Sequence, residues 1–147
     1  EAHFRAAPAD FFLFPSQSER DQTEVRAART ALVEFLDRFP ESRHAPRARE
    51  LLEESLRILA RHELVTARFY ASRKHWAAAA GRYETLLRSY PDTGYDAEAT
   101  FGLVQAAEEL ETPERARFAL QVFLERHPSG ADAERARRLL RELGEEQ

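Results

Sequence analysis

Histidine and glutamate side chains are the groups in this sequence that could perform acid–base catalysis or bind a metal ion. His62 and Glu63 begin a pattern typical of zinc-binding helices, but Thr66 stands where that motif needs its second histidine. The glutamate pairs Glu53-Glu54 and Glu108-Glu109 are predicted on exposed helix faces, where nothing opposes them across a cleft. The sequence has no glycine-rich phosphate loop and no serine in a nucleophile elbow. We therefore predict a protein that is not an enzyme and that has no metal or cofactor.

The remaining chemical signal is a group of basic residues around one short joint. Arg73, Lys74 and His75 are consecutive, and Arg68 and Arg82 lie near them in sequence. Such a group could hold an acidic partner or could be an ordinary solvated turn, and the residue types leave both open. A second basic strip on the last predicted helix alternates with glutamates, which predicts helical ion pairing rather than nucleic-acid binding. This strip consists of Arg135, Arg137, Arg138 and Arg141.

The composition predicts one helical domain that must position these side chains. The chain has 147 residues, of which 33% are charged, with only 5 Gly and 7 Pro. The net charge of −4 argues against a nucleic-acid-binding surface. The absence of cysteine excludes disulfides, thiolate nucleophiles and cysteine-ligated metals. No apolar run approaches the roughly 20 residues that span a bilayer.

Apolar residues at helical spacing predict six helices, of which the second is unusually long. We place the helices at about residues 23–39, 45–72, 75–90, 96–110, 113–127 and 132–143. The buried face of the first helix is predicted to carry Val25, Ala28, Leu32, Phe35, Leu36 and Phe39. The buried face of the second is predicted to carry Leu51, Leu52, Leu56, Leu59, Leu64, Ala67 and Tyr70. The second helix has no breaker over a length of about 40 Å.

The first residues lack this periodicity. Residues 1–22 are predicted to form an irregular segment that packs on the core, and residues 23–147 a single helical domain. The apolar cluster Phe11–Phe14 is too large to leave in water. We expect it to cover one end of the helical core, with a partner-binding patch as the alternative. The chain has no initiator methionine, so we interpret it as part of a longer protein.

An internal repeat organises the helices. Three blocks, around Pro40, Pro91 and Pro128, each read as a helix ending in a ring residue, a proline, a polar turn and a helix that begins with alanine. His127 occupies the ring position of the third block. We therefore interpret it as a ring that covers the end of a helix, in preference to a metal ligand. Three matched blocks are typical of stacked helical hairpins, which bury a core only through their neighbours.

The middle block fits the tetratricopeptide repeat best. Ala67 and Ala79 are the small residues at the crossing of its two helices, and Tyr70 and Tyr83 are the rings that fill the space beside them. Glu63 departs from the pattern, which usually has tryptophan there. An ordinary helical hairpin in a bundle is the alternative. We predict an all-α, tetratricopeptide-like right-handed solenoid of antiparallel helix hairpins with one long helix.

The segment Leu59–Thr93 resembles the BamD family, the tetratricopeptide lipoprotein subunits of the outer-membrane β-barrel assembly machinery. The likeness lies in the pattern LA-x-x-E-x-x-x-A-x-x-Y, in Trp76 after the joint, in Arg82 and in the run LLR-x-YPDT. The block Phe11–Ser42 and the helix pair up to Leu110 also look like this family. The final helix is less similar, and its role stays open.

The resemblance implies a non-enzymatic scaffold in outer-membrane β-barrel assembly. It implies a periplasmic location at the inner leaflet of the outer membrane, through an N-terminal lipid anchor that this sequence lacks, and a match to the C-terminal half of the family. The implied partners are the periplasmic domains of BamA and other assembly lipoproteins, without nucleic acid. By motif match, Arg82 corresponds to the family arginine that contacts BamA, and Arg73, Lys74 and Arg68 are its neighbours in sequence. The alternative is a generic periplasmic tetratricopeptide adaptor of the cell envelope, against which the long helix argues.

Overall fold

The computed structural model describes the backbone of residues 17–145 and the side chains of residues 22–144. This part of the chain consists of helices joined by short turns, without strands, as predicted for an all-α protein. The six helices are α1 Gln17–Arg38, α2 Ala45–Ser72, α3 Trp76–Ser89, α4 Asp96–Glu109, α5 Pro113–Arg126 and α6 Ala131–Glu145. Each helix packs chiefly on the next one in the chain, which is the arrangement of a tetratricopeptide-like solenoid. None of the described helices is long and apolar enough to cross a membrane.

Helix α1 begins earlier than the sequence predicted. Its start is Gln17 rather than Thr23, so residues 17–22, which were predicted to be irregular, are helical. This short polar stretch contains neither glycine nor proline, and nothing in it prevents the helix from extending toward the N-terminus. The ends of the other five helices agree with the prediction to about two residues. The Phe11–Phe14 cluster lies outside the described residues.

The long helix α2 is confirmed. It has 28 residues, which correspond to about 42 Å. Pro46 lies in its first turn, where the missing backbone N–H removes no intrahelical hydrogen bond. The helix ends at the joint, where Lys74 has a positive φ of 59° and donates its backbone N–H to the carbonyl of Ala71. Helix α2 packs on both of its neighbours in the chain, α1 and α3.

The core of the middle repeat has the small and large residues in the predicted roles. Ala67 of α2 and Ala79 of α3 are fully buried, and Tyr83 is 5% exposed. The ring of Tyr83 lies directly against Gly102 of α4, where even a Cβ atom would clash with it. Alanine and glycine at these positions therefore allow close approach of the helices, and the tyrosine fills the remaining space.

The predicted buried faces of α1 and α2 are only partly correct. Ala28 is exposed, Phe39 lies beyond the end of α1 and is 52% exposed, and Leu51 is 36% exposed. Leu51 is the first of four exposed apolar residues that follow one face of α2. This stripe consists of Leu51, Ile58, Val65 and Phe69. The discrepancy arises because α1 covers one side of α2 alone, so the helical period predicts more burial than a single neighbour supplies.

Helix α6 packs on α5 and covers the last hairpin. Its residues Ala136 and Leu143 join a second core with Leu120 and Phe123 of α5. The arginines of α6 make different contacts from the glutamate pairs expected from the sequence. The guanidinium of Arg135 lies 4.0 Å from the centre of the Phe101 ring, and Arg137 donates a hydrogen bond of 2.6 Å to the carbonyl of Pro128.

Candidate partner-binding surface

Arg82 of α3 is held by a buried carboxylate of α2. Its Nη1 donates to Oε2 of Glu63 at 3.2 Å, while its side chain remains 44% exposed. The whole residue Glu63 is only 2% exposed. A carboxylate at such a position is costly unless a cation pairs with it. The pair therefore fixes one edge of the Arg82 guanidinium on α2 and leaves the rest of the group in solvent.

A second arginine approaches the same carboxylate from the other neighbouring helix. Nη2 of Arg26 in α1 lies 3.8 Å from Oε1 of Glu63, and its side chain is 52% exposed. Glu63 thus stands between α1 and α3, with one arginine on each carboxylate oxygen. Because arginine stays charged, two guanidinium groups and one carboxylate leave a net charge of about +1 at this surface. We call these three residues, Arg26, Glu63 and Arg82, the Glu63 cluster.

Arg68 lies on a different side of α2. Its Nε donates to Oε1 of Glu98 in α4 at 2.6 Å, and both side chains are about half exposed. Since successive helical residues are rotated by about 100°, Arg68 lies about 140° around α2 from Glu63. The Arg68–Glu98 pair links α2 to α4, whereas the Glu63 cluster links α2 to α1 and α3.

The Arg68–Glu98 pair also sets the environment of the Tyr83 phenol. Burial raises the pKa of Tyr83 above its ordinary value of 10.0, and the negative charge of Glu98 raises it further, while Arg68 lowers it. The phenol therefore stays protonated at neutral pH. Its hydroxyl is part of the packing between α3 and α4, rather than an acid or base for chemistry.

The joint residues form a third location. Arg73 places its guanidinium 3.9 Å from the centre of the Phe69 ring, a cation–π contact at the C-terminal end of α2. Lys74 follows in the tight turn and is exposed. Arg73 lies about 15 Å along α2 from the level of Glu63. The four basic residues selected from the sequence therefore occupy three separate places: Arg82 in the Glu63 cluster, Arg68 beside Glu98, and Arg73 with Lys74 at the joint.

Sequence reasoning selected Arg82 but missed its partners. In the sequence, Glu63 is a departure from the repeat and a part of the family pattern, and neither signal shows that two arginines pair with its buried carboxylate. Arg26 is 37 positions before Glu63 in the chain, and only the fold brings the two together. The arrangement suits recognition of an acidic surface by an exposed, oriented guanidinium.

Comparison with known proteins relates the chain to one family. The profile of the family described as "YfiO: Outer membrane lipoprotein" matches residues 3–121. A protein of Xylella fastidiosa named outer membrane protein assembly factor BamD is 32% identical over 114 residues, which cover 76% of this chain and 39% of that protein. Proteins of the same name from Haemophilus influenzae and Neisseria gonorrhoeae are 36% and 33% identical over 101 and 99 residues. Those matches cover 69% and 67% of this chain and 38% and 37% of the two relatives. The chain thus spans less than two fifths of the length of these curated relatives.

Proposed function

This chain belongs to the YfiO family of outer membrane lipoproteins, and we propose that it acts as a non-enzymatic scaffold in the assembly of outer membrane β-barrel proteins. The family match and the name of the relatives, outer membrane protein assembly factor, support this role. A solenoid of stacked hairpins supports it as well, because such folds present extended surfaces to other proteins. The proposed location is the periplasmic side of the outer membrane, with attachment through an N-terminal lipid.

The proposed partner surface is centred on Arg82, and the proposed partner is an acidic surface of the periplasmic domains of BamA. The single observation that carries this proposal is the Arg82–Glu63 pair. Because Glu63 is buried and fixes one edge of the guanidinium, little side-chain entropy remains to be lost when the exposed edge binds a carboxylate. The local positive charge of the Glu63 cluster would favour contact with a negative group at short range.

The other basic residues are expected to contribute to the proposed interface to different degrees. Arg73 and Lys74 would contribute to an interface only if it continues for about 15 Å along α2 toward the joint. Arg68 is neutralised by Glu98 on another side of α2. We therefore propose that Arg82 dominates the interface, that Arg73 and Lys74 contribute at its edge, and that Arg68 contributes least.

The test compares two arginines that share one carboxylate. Arg82→Gln and Arg26→Gln each remove one cation from Glu63, so their effects on folding should be similar. If Arg82 binds the partner, its replacement should weaken the affinity for the periplasmic domains of BamA by about tenfold or more, as expected for a charged pair at an interface. Binding is measured by calorimetry with this chain, and folding by thermal unfolding of each variant.

The matched design separates docking from stability. A selective loss of affinity in Arg82→Gln supports the proposal. Equal losses of affinity in Arg82→Gln and Arg26→Gln, with equal losses of stability, would show that the two residues act only through Glu63. Unchanged affinity in both variants would remove Arg82 from the interface, and absence of binding by the wild-type chain would contradict the proposed partner.

A further inference from the structure

A second cluster of polar side chains lies away from the Glu63 cluster, where α3, α4 and α5 meet. It consists of Asp92 in the turn after α3, Asp96 in the first turn of α4, and His127 at the end of α5. One ligand atom from each of these three residues lies within 4.8 Å of the other two. The first carboxylate and the histidine are 35 positions apart, so only the packing of consecutive hairpins brings them together.

The histidine of this cluster has a nitrogen without a hydrogen-bond partner. Nε2 of His127 is buried and makes no hydrogen bond within the described residues. Its nearest charged neighbour is Oδ1 of Asp92 at 3.9 Å, which is too long for a hydrogen bond. The other face of the imidazole ring packs on Phe123, with ring centres 4.8 Å apart. A polar atom of this kind without a partner is uncommon in native proteins, and a water molecule or an ion can reach it because the His127 side chain as a whole is 36% exposed.

The two carboxylates are arranged so that each keeps an oxygen available. Oδ1 of Asp96 accepts the backbone N–H of Asp92 at 3.0 Å, and Asp96 itself is only 5% exposed. Asp92 directs Oδ2 toward Nη1 of Arg126, 4.0 Å away, and Oδ1 toward His127. The side chain of Asp92 is 69% exposed and can therefore adjust its position.

An independent observation on the next turn of α4 also points to a missing polar ligand. The side chain of Thr100 is 1% exposed, and its hydroxyl has no hydrogen-bond partner within the described part of the chain. Thr100, Asp96 and His127 line the same groove between α3 and α5, which has a volume of about 630 Å³. Two of the three cluster residues, Asp96 and His127, thus line a groove whose volume leaves room for an ion with bound water.

We propose that Asp92, Asp96 and His127 bind a divalent transition-metal ion, with Zn²⁺ as the best match. One imidazole and two carboxylates are a known type of zinc ligand set, and imidazole disfavours Mg²⁺ and Ca²⁺. Ligand atoms at about 2.0–2.1 Å from Zn²⁺ lie about 3.3 Å apart in a tetrahedron. The largest separation in the cluster, at most 4.8 Å, must therefore close by up to about 1.5 Å, and the exposed Asp92 side chain is free to supply part of this movement. Water completes the coordination, and Arg126 stays beside the outer oxygen of Asp92.

A bound ion would add a link between three elements that apolar packing, the Arg115–Glu84 pair and the Arg126–Asp92 pair already join. It would tie the end of α5 to the start of α4 and to the turn after α3, and so fix two consecutive hairpins to each other. The proposal is independent of the function proposed above, because the Glu63 cluster lies on α1, α2 and α3 and shares no residue with this site.

The test is a titration of the chain with Zn²⁺, followed by calorimetry and by the visible absorption of Co²⁺ as a substitute. We expect one ion per chain at this site, and a rise in the thermal unfolding temperature on binding. Asp92→Asn and His127→Gln should each weaken Zn²⁺ binding by at least about tenfold. Asp92 has a positive φ of 60°, which asparagine also adopts, so the first variant should fold normally. Excess Mg²⁺ should not displace the zinc.

The matched control is His75→Gln, which removes an exposed histidine from the joint at the other end of α3. It should leave the affinity and the Co²⁺ spectrum unchanged. Equal losses of affinity in His75→Gln and His127→Gln would show that Zn²⁺ binds only to surface histidines and would overturn the proposal. Unchanged affinity in a folded Asp92→Asn variant would do the same, as would wild-type binding with Mg²⁺ equal to or tighter than Zn²⁺.

Discussion

The two ends of the described chain hold their helices together in different ways. In the α3–α5 region, neighbouring helices approach closely through buried alanines, and α4 alone contains seven buried residues. In α1, no described side chain is buried, and Val25, Leu32 and Phe35 are only partly covered. The polar contacts of α1 with α2 include Arg26 with Glu63 and the hydrogen bond between Gln22 and His62 at 2.9 Å.

This difference shows that successive repeats can be held together by different kinds of contact between helices while the helices keep the same hairpin arrangement. Small residues at a crossing fix the distance between two helices to within the size of a methyl group. A buried carboxylate shared by two arginines instead fixes the relative position of three helices through ion pairs and a directional hydrogen bond. This arrangement costs the desolvation of the carboxylate. The first type of contact should dominate stability, and the second should leave more of the surface free to bind other molecules.

The largest expected effect compares the same substitution in the two regions. Leu86 of α3 is fully buried, whereas Leu32 of α1 is half-buried. Leu86→Ala should lower the free energy of unfolding by about 3 kcal/mol, because it removes transfer energy and leaves a cavity. Leu32→Ala should cost about 1 kcal/mol, since part of the side chain is already in water. Denaturant unfolding of both variants measures the difference, and equal costs would remove the contrast between the regions.

A smaller effect should distinguish the buried carboxylate of α2, Glu63, from the exposed carboxylate that pairs with Arg68 of the same helix. Glu63→Gln keeps the shape of a buried side chain but removes the charge between Arg26 and Arg82, with an expected cost of about 1 kcal/mol. The exposed Glu98→Gln, which breaks the pair with Arg68, should cost about 0.5 kcal/mol or less. Chemical denaturation at two salt concentrations tests this, because screening should reduce the effect of Glu98→Gln more strongly. An equal cost for both variants would show that burial of Glu63 adds nothing.

The smallest effect concerns pH and the α3–α4 contact. The pKa of Tyr83 is raised in the folded chain, first by burial and then by Glu98. Its contribution to stability is therefore complete below the ordinary pKa of 10.0 and is lost as the pH rises through that value toward the folded pKa. Unfolding experiments between about pH 8 and 11 should show a decrease that is smaller in Tyr83→Phe than in the wild-type chain. The same slope in both would contradict the assignment.

Much of the fold could be predicted from the sequence because its signals are local. The long helix α2 follows from the absence of glycine and proline after its first turn, and the packing of Ala67, Ala79 and Tyr83 follows from the repeat. The predicted start of α1 was wrong because residues 17–22 are polar and contain neither glycine nor proline, so the sequence does not mark where the helix begins. The predicted burial of Leu51 was wrong because helical periodicity shows which face of a helix is apolar, but not how much of that face a neighbouring helix covers.

The polar sites could be predicted less well because they join distant positions. Arg82 follows from a family resemblance, and Glu63 belongs to the same family pattern, but nothing in the sequence shows that the two side chains pair. His127 was interpreted as a ring that covers a helix end, and its contact with Phe123 agrees with that role. Its approach to Asp92 and Asp96 depends on how two hairpins stack, and no spacing in the sequence encodes it.

The uninterrupted course of α2 also has a consequence for how this chain tolerates changes of length. Because both α1 and α3 pack on α2, this helix sets the orientation of the later hairpins relative to α1. Insertion of one residue near Arg57 would turn everything after it by about 100° and advance it by about 1.5 Å. Glu63 would then face away from Arg26 while keeping Arg82. The number of residues in α2 therefore determines the rotation of the later helices relative to α1. Substitutions on the surface of α2 should be tolerated, whereas insertions and deletions within it should not.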